Sequence, residues 1–222
     1  MKKVYVVSNH PFTQNEYSKW INFEFELVTN PNDADLIIFT GGTDVNPALY
    51  GEARHYLTQA PDVARDEREA EIFANFVGKV PMAGICRGSQ FLTIMNGGKL
   101  FQHINGHGCG GHDVVDLASG KVYRDTSGHH QMMYPFNLPE DRYEIIAMAD
   151  KNLSDEYIGM SDISDDYIAN FPDRREVEIV FYPDTQCLCI QGHPEWGYPT
   201  PYSDYCNDLV QTKLLNPVYA NQ

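Results

Sequence analysis

Gly84-Ile85-Cys86-Arg87-Gly88 sets one thiol between glycines two positions away on either side. The run Val80 to Ile85 reads as a strand and Gly88 to Asn96 as a helix, so Cys86 stands at a strand-to-helix turn. A nucleophile at such a turn is held in a strained conformation, and larger flanking side chains would meet neighbouring backbone. The turn also sets the sulfur near a helix N-terminus, whose partial positive charge favours thiolate over thiol. The Arg87 amide then points to where a tetrahedral oxyanion would form. Taken alone, the pentapeptide also fits a buried cysteine acting as a small apolar side chain.

A thiol nucleophile needs a base, and the base needs an orienting group. Gln191-Gly192-His193-Pro194-Glu195-Trp196 supplies both, directly after the apolar run Cys187 to Ile190. Pro194 biases His193 toward extended backbone. In extended chain, residues i and i+2 face the same side. Glu195 can therefore accept from one ring nitrogen of His193 and leave the other for Cys86. A surface histidine in a turn is the plainer alternative, and the cysteine turn weighs against it.

These residues must be brought together by the rest of the chain. Val4–Val7, Phe25–Val28 and Leu36–Phe39 read as strands, the third without polar alternation and so suited to the centre of a sheet covered on both faces. It empties into Thr40-Gly41-Gly42-Thr43-Asp44. Asp62 is a candidate N-cap for a helix that Gly78 ends, with Ile72, Phe73, Phe76 and Val77 on one face and Arg65, Glu67 and Arg68 opposite. Residues 102–135 read as long loops and short hairpins. Tyr143–Ala149, Val177–Tyr182 and Cys187–Ile190 read as strands, and Ser203–Leu215 as a closing helix. Strand and helix alternating in this way indicate a layered α/β domain. With no repeat and no linker, residues 1–222 are expected to form one domain.

The chain has 222 residues, 42% hydrophobic and 21% charged, which is ample for a buried core and excludes a disordered or fibrous chain. Sixteen basic against 31 acidic side chains give a net charge of −15. Such a surface repels phosphate backbones and anionic lipids, so neither nucleic acid nor membrane is expected as a partner. No apolar run reaches membrane-spanning length, and the one after Met1-Lys2-Lys3 is too short for a secretory signal. Five cysteines without an export signal suggest reduced thiols in the cytoplasm. Cys187 and Cys189, on one strand face, are expected to pack in the core.

Gly84-Ile85-Cys86-Arg87-Gly88-Ser89-Gln90, with His193-Pro194-Glu195 some hundred residues on, resembles the class I glutamine amidotransferases. Gly41 to Gly51, Arg65-Asp66-Glu67-Arg68-Glu69 and Ser127-Gly128-His129-His130-Gln131 resemble the branch holding γ-glutamyl hydrolases and γ-glutamyl-γ-aminobutyrate hydrolase, the peptidase C26 branch. The resemblance spans nearly the whole chain with its motifs in order. It implies a single flavodoxin-like α/β domain with a largely parallel central sheet, helices on both faces and a nucleophile elbow. It further implies a Cys86, His193 and Glu195 triad that cleaves a γ-glutamyl amide through a γ-glutamyl thioester. One amide of the Gly41-Gly42 loop, that of Gly42, would join Arg87 as oxyanion hole. Gln90, Ser127, His129 and His130 match positions that hold the glutamyl group. Two features depart from the usual pattern: Arg87 stands where many relatives carry a hydrophobic residue, and Asp125-Thr126 precede Ser127 in place of asparagine.

A glutaminase of this kind would pass ammonia to a synthetase partner, whereas a γ-glutamyl conjugate hydrolase would need none. A non-catalytic module and a thiol-based stress protein of related topology are rivals of another class, and the intact His-x-Glu pair counts against both. Residues 150–184 carry ten acidic and three basic side chains, read as a solvated face with partner docking as the alternative. His103, His107, Cys109 and His112 are zinc ligands by type. Their spacings fit no common zinc pattern and the resemblance uses no cofactor, so no metal is expected.

Overall fold

The computed structural model describes residues 1–8, 10–108, 110–160 and 176–216. Five strands form the parallel half of one nine-stranded sheet: β1 (Lys2–Val7), β2 (Phe25–Leu27), β3 (Leu36–Phe39), β4 (Met82–Ile85) and, much later in the chain, β13 (Cys187–Ile190). Their spatial order is β2-β1-β3-β4-β13, every neighbouring pair parallel. The sheet then continues antiparallel through β12 (Val177–Tyr182), β10 (Glu144–Ala149), β7 (Asp113–Asp116) and β8 (Val122–Arg124). Two small ladders lie outside it: β5 (Lys99–Phe101) with β9 (Met132–Tyr134), and β6 (His103–Ile104) with β11 (Tyr157–Ile158).

The helices are α1 (Pro11–Ser18), α2 (Val63–Phe76), α3 (Arg87–Met95) and α4 (Pro201–Leu209), the last continuing as a π-turn over Val210–Leu215. The unbroken apolar strands alternate between two cores, as strands covered on both faces must. Leu36 and Ile38 pack with Cys206, Leu209 and Val210 on one face. Ile37 and Phe39 pack with Phe73, Phe91 and Leu92 on the other. Cys187 and Cys189 lie in this second core, and burial pushes both thiols up, Cys187 to about 11. Among the described residues no helix is long and apolar enough to cross a membrane.

Sequence and structure differ at specific places. The sequence assigned no element to α1: its N-cap His10 makes no side-chain cap, only Ser18 of the helix is buried, and Pro11 at its start is the sole local signal. In α2, Asp62 caps as expected by accepting from the Arg65 amide. The polar face of α2 is not all solvated, however, since Asp66 and Glu69 are buried. Part of the acidic 150–184 stretch, residues 161–175, lies outside the described residues. Within the rest, Glu176 and Glu178 are not on a solvated face. They are buried, Glu176 accepting from the Leu153 and Ser154 amides and Glu178 bonded to His112.

Strand register sets the site. Phe39 lies beside Gly84, and Ile190 beside Ile85. The C-terminal ends of β3, β4 and β13 therefore finish side by side, where ligands bind in open parallel sheets. The crossing from β4 into α3 leaves no room at its glycines. A Cβ on Gly84 would stand 2.4 Å from the Gly88 carbonyl oxygen, and one on Gly88 would stand 2.2 Å from that of Phe39. Both obstacles are backbone. Gly88→Ala is therefore expected to lower stability by about 1–3 kcal/mol, read as a lower urea midpoint; an unchanged midpoint would contradict the packing described.

Candidate active site

Cys86 follows β4 directly, with φ 52° and ψ −112°, in the left-handed half of backbone space that non-glycine residues avoid. Backbone hydrogen bonds hold it there, including one from the Gln90 amide to its carbonyl at 3.1 Å. Its amide donates to the Ile190 carbonyl at 2.8 Å, tying the turn to β13. Its carbonyl accepts from the Ser89 amide at 3.0 Å and the Ser89 hydroxyl at 2.6 Å. The side chain is buried but not sealed, at 8% exposure.

His193 emerges three residues past β13, beside that turn. Its Nδ1 lies 2.7 Å from Glu195 Oε1. Burial pushes the His193 imidazole down, but the neighbouring Cys86 and Glu195 outweigh it and lift it to about 10. The ring lies flat under Trp196, centroids 3.7 Å apart with 1° between planes. The backbone is pinned as well: the His193 amide donates to the Thr126 carbonyl at 2.8 Å, and the Thr126 hydroxyl donates to the His193 carbonyl. The expected His193–Glu195 pair is present, but it forms in a turn closed by the Trp196 amide donating to the His193 carbonyl at 3.0 Å, not in extended chain.

The Gly41-Gly42 loop closes the third side. A Cβ on Gly41 would sit 3.2 Å from His193 Cε1 and 3.5 Å from Cys86 Cβ, so the loop lies against both. Gly42 has φ 142°, which favours glycine, and a Cβ there would meet Arg65 Nη1 at 2.4 Å. Arg65 donates to the carbonyls of Gly41 at 3.0 Å and Thr40 at 2.8 Å. Across a planar trans peptide the Gly42 N–H is antiparallel to the Gly41 carbonyl. It therefore points away from the guanidinium.

Arg65 belongs to a buried charge cluster. Its Nε donates to Glu69 Oε1 at 2.7 Å, while Glu69 Oε2 pairs with Arg87 Nη1. Arg87 Nη2 pairs with Asp66, whose other oxygen accepts from the Asn46 amide at 3.0 Å. The Arg87 side chain, 1% exposed, thus turns away from Cys86 into α2 and leaves its amide at the turn. Sequence reading placed Arg65 on a solvated face and gave Asp66 and Glu69 no role beyond the motif that holds them. The i, i+4 spacing of Arg65 and Glu69 was the available signal. Tyr17 was also missed. Its hydroxyl lies against the Gly41 backbone, and burial together with the nearby Glu195 and Cys86 pushes it up.

The remaining expected residues lie in α3 and in the 127–130 segment. Gln90 is buried in α3, its amide nitrogen donating to the Gln131 carbonyl at 3.1 Å and approaching Gln191 Oε1 at 3.3 Å. Ser127 is buried with no partner for its hydroxyl, and Gly128 lies against the Trp196 ring. His130 meets Asp44 at 3.0 Å and His103 at 3.3 Å. His129 turns inward instead, its ring 4.6 Å from that of His107. Of the loop that held possible ligands, Cys109 lies outside the described residues. His103 sits apart with His130, while His107 and His112 are buried together.

The family model described as Peptidase C26 matches residues 28–150, more than half of the chain and inclusive of the Cys86 turn. This chain belongs to the peptidase C26 family. His193 and Glu195 lie beyond the matched stretch. This peptidase C26 member is 42% identical over 192 residues to the glutamine amidotransferase-like protein YvdE of Lactococcus lactis subsp. lactis, covering 84% of this chain and 73% of that one. It is 36% identical over 133 residues to the carbamoyl phosphate synthase small chain of Methanococcus vannielii. That match covers 60% of this chain and 31% of the relative, so the chain spans about a third of that protein's length. In fold it is similar to a glutamine amidotransferase of Thermotoga maritima, TM-score 0.57, 15% identical, covering 95% of this chain and 84% of that one.

The His193 shift has a signed consequence. A folded-state value near 10 against an ordinary 6.5 means a stabilising contribution that is full below about pH 6.5 and lost as pH rises through 10. Glu195→Gln removes the anionic acceptor and lowers the folded-state value. The stability advantage of the wild type over this variant is therefore expected near pH 6.5 and should fade toward pH 10. Urea melts across that range measure it, and a constant difference would refute the assignment.

Proposed function

We propose that this chain hydrolyses the γ-amide of glutamine or of a closely related γ-glutamyl amide, through a thioester on Cys86. The observation that carries the reading is a thiol at a strained turn, packed against the same loop as an imidazole that Glu195 holds at 2.7 Å, in a chain of the peptidase C26 family. In this reading residues 1–222 act as one domain without a cofactor. Its buried free cysteines suit a reducing, cytoplasmic setting.

The Cys86 thiolate adds to the amide carbon, and the carbonyl π electrons move onto oxygen. The amides of Gly42 and Arg87 face that oxyanion. As the intermediate collapses, His193 gives its proton to the departing nitrogen, the C–N bond breaks, and ammonia or an amine leaves. Water then adds to the thioester while His193 takes its proton, and the C–S bond breaks to release glutamate and the thiolate. Glu195 keeps the same His193 nitrogen occupied throughout, so the other serves sulfur, leaving group and water in turn. Gln90, Ser127 and His130 border the space for the glutamyl group, whereas His129 turns away from it toward His107, and the partnerless Ser127 hydroxyl is free to meet the substrate.

The resemblance to a carbamoyl phosphate synthase small chain supports transfer of the ammonia to a synthetase partner. The family's description as a peptidase favours a second reading, release of an amine from a γ-glutamyl conjugate with no partner. Mass spectrometry after mixing with glutamine or γ-glutamyl amines should find a glutamyl adduct on Cys86, absent in Cys86→Ala. Comparison of ammonia with amine release separates the two readings. An unmodified thiol under every substrate would overturn both.

Arg65 and Glu69 act in this scheme as positioning residues for the oxyanion donors. Glu69→Gln is expected to lower kcat by about 10²-fold, the usual loss when an oxyanion donor is removed, with KM changed far less. A matched loss in KM alone would assign Glu69 to substrate binding instead.

A further inference from the structure

Behind the Ser127–Gln131 segment lies a buried polar cluster that the proposed chemistry does not use. His107, His129 and Glu178 are 1%, 6% and 0% exposed, and each offers a ligand atom within 4.8 Å of the others. They come from three separate parts of the chain: the glycine-rich loop before β7, the segment before β9, and β12.

The hydrogen-bonding state of each side chain is informative. His129 Nδ1 is 2.8 Å from the Gln131 carbonyl oxygen. A carbonyl only accepts, so Nδ1 carries the proton and Nε2 a bare lone pair. That Nε2 is buried and has no hydrogen-bond partner. An imidazole fixed by a carbonyl on one nitrogen, with the other aimed inward, is the usual arrangement of a metal-ligating histidine. His107 repeats it. Its Nε2 lies 3.1 Å from Glu176 Oε2, outside hydrogen-bond geometry, and its Nδ1 faces Glu178 Oε1 at 3.7 Å. Glu178 Oε1 is bonded to His112 Nε2 at 2.8 Å, whereas Oε2 is buried and partnerless. Among the described residues neither Glu176 nor Glu178 pairs with a lysine or arginine. Buried carboxylates of this kind are normally paired or bound to a metal.

We propose that His107, His129 and Glu178 form a binding site for a divalent first-row cation of the zinc type. Two imidazoles and one carboxylate are a donor set that zinc accepts, with a further position for water. Bonds of about 2.0–2.2 Å require ligand atoms roughly 3.4 Å apart, so the three converge by about an ångström on binding. Glu176 supports His107, and His112 supports Glu178. The overlapping set of His112, Asp125 and Glu178 is a poorer candidate, because His112 already spends Nε2 on Glu178 and faces Asp125 at 3.4 Å with Nδ1. The cation ties the glycine-rich loop and the Ser127–Gln131 segment to β12. The expectation of no metal, drawn from ligand spacing, counted His103, Cys109 and His112 and could not see His129 or Glu178.

The test uses the full chain with Cys86→Ala, which removes the active-site thiol as a competing zinc ligand. Chelator-stripped protein is dialysed against Zn²⁺ and bound metal is counted by elemental analysis, with Co²⁺ absorption as the spectroscopic report. One equivalent is expected, with a low-coordinate cobalt spectrum lacking thiolate charge transfer. Affinity should fall at least tenfold in both His107→Gln and His129→Gln. Failure to retain metal, or retention that survives both substitutions, overturns the site. Where those variants do not fold, X-ray absorption on the zinc-loaded Cys86→Ala protein decides. Two imidazole ligands support the site, and fewer than two, or any sulfur, overturn it.

Discussion

One carboxylate with no solvent exposure, that of Glu69, is shared by two guanidinium groups. Through Arg65 it reaches the carbonyls of the Gly41-Gly42 loop, and through Arg87 it reaches the first residue after Cys86. The two donors assigned to the oxyanion thus share one anchor, on a helix that touches neither the substrate nor the sulfur in the scheme above. Burying such charges is costly, and removing one partner of a buried pair typically costs about 3–5 kcal/mol because the other is left unpaired. Hydrophobic side chains of equal volume would hold α2 on the sheet about as well. They would not dictate which way a peptide plane faces, and a carbonyl pulled by a guanidinium does dictate it.

The same logic explains how the strain at Cys86 persists. A non-glycine residue in this backbone region costs about 1–3 kcal/mol, and surrounding structure must over-determine it. Here the amide is bound to β13, the carbonyl is bound to Ser89, and Gly84 and Gly88 allow α3 to close onto β3 and β4 at backbone contact. Parallel pairing of β4 with both β3 and β13 fixes the alignment of all three strand ends. The thiol, the glycine loop and the imidazole meet because of register, although more than a hundred residues separate Cys86 from His193.

The parallel half of the sheet was legible because its strands are unbroken apolar runs bounded by turn residues, as in Leu36-Ile37-Ile38-Phe39. The Cys86 turn and the His193-Glu195 pair were legible because their geometry is local: two glycines at fixed offsets, and two side chains two positions apart, although a turn rather than extended chain brings the latter together. What escaped was non-local. Glu69 and Arg65 look like surface charges of an amphipathic helix, since nothing nearby in sequence reveals a buried arginine 18 residues on. Glu176 and Glu178 read as part of an acidic stretch because their partners, the 153–154 amides and the histidines at 107 and 112, are distant in the chain. Helix α1 escaped for a different reason: without a polar cap or a clear apolar face, its formation depends on what packs after it, above all the fully buried Trp20.

The antiparallel half of the sheet is then more than a lid on the core. Its strands turn buried polar groups toward the end of β13, where His193 begins. Thr126 grips the His193 backbone from both directions, and the next residues run through Ser127 and Gly128, under Trp196, to His129. His112 accepts no freedom of its own: its amide is bound by Asp125 at 2.7 Å and its ring by Glu178 at 2.8 Å. Any displacement of Glu178 on β12 is therefore passed through His112 to Asp125, and from Asp125 to the adjacent residue that holds the imidazole. The His193 imidazole is thus held on its backbone side by this chain of buried contacts and on its ring side by Glu195.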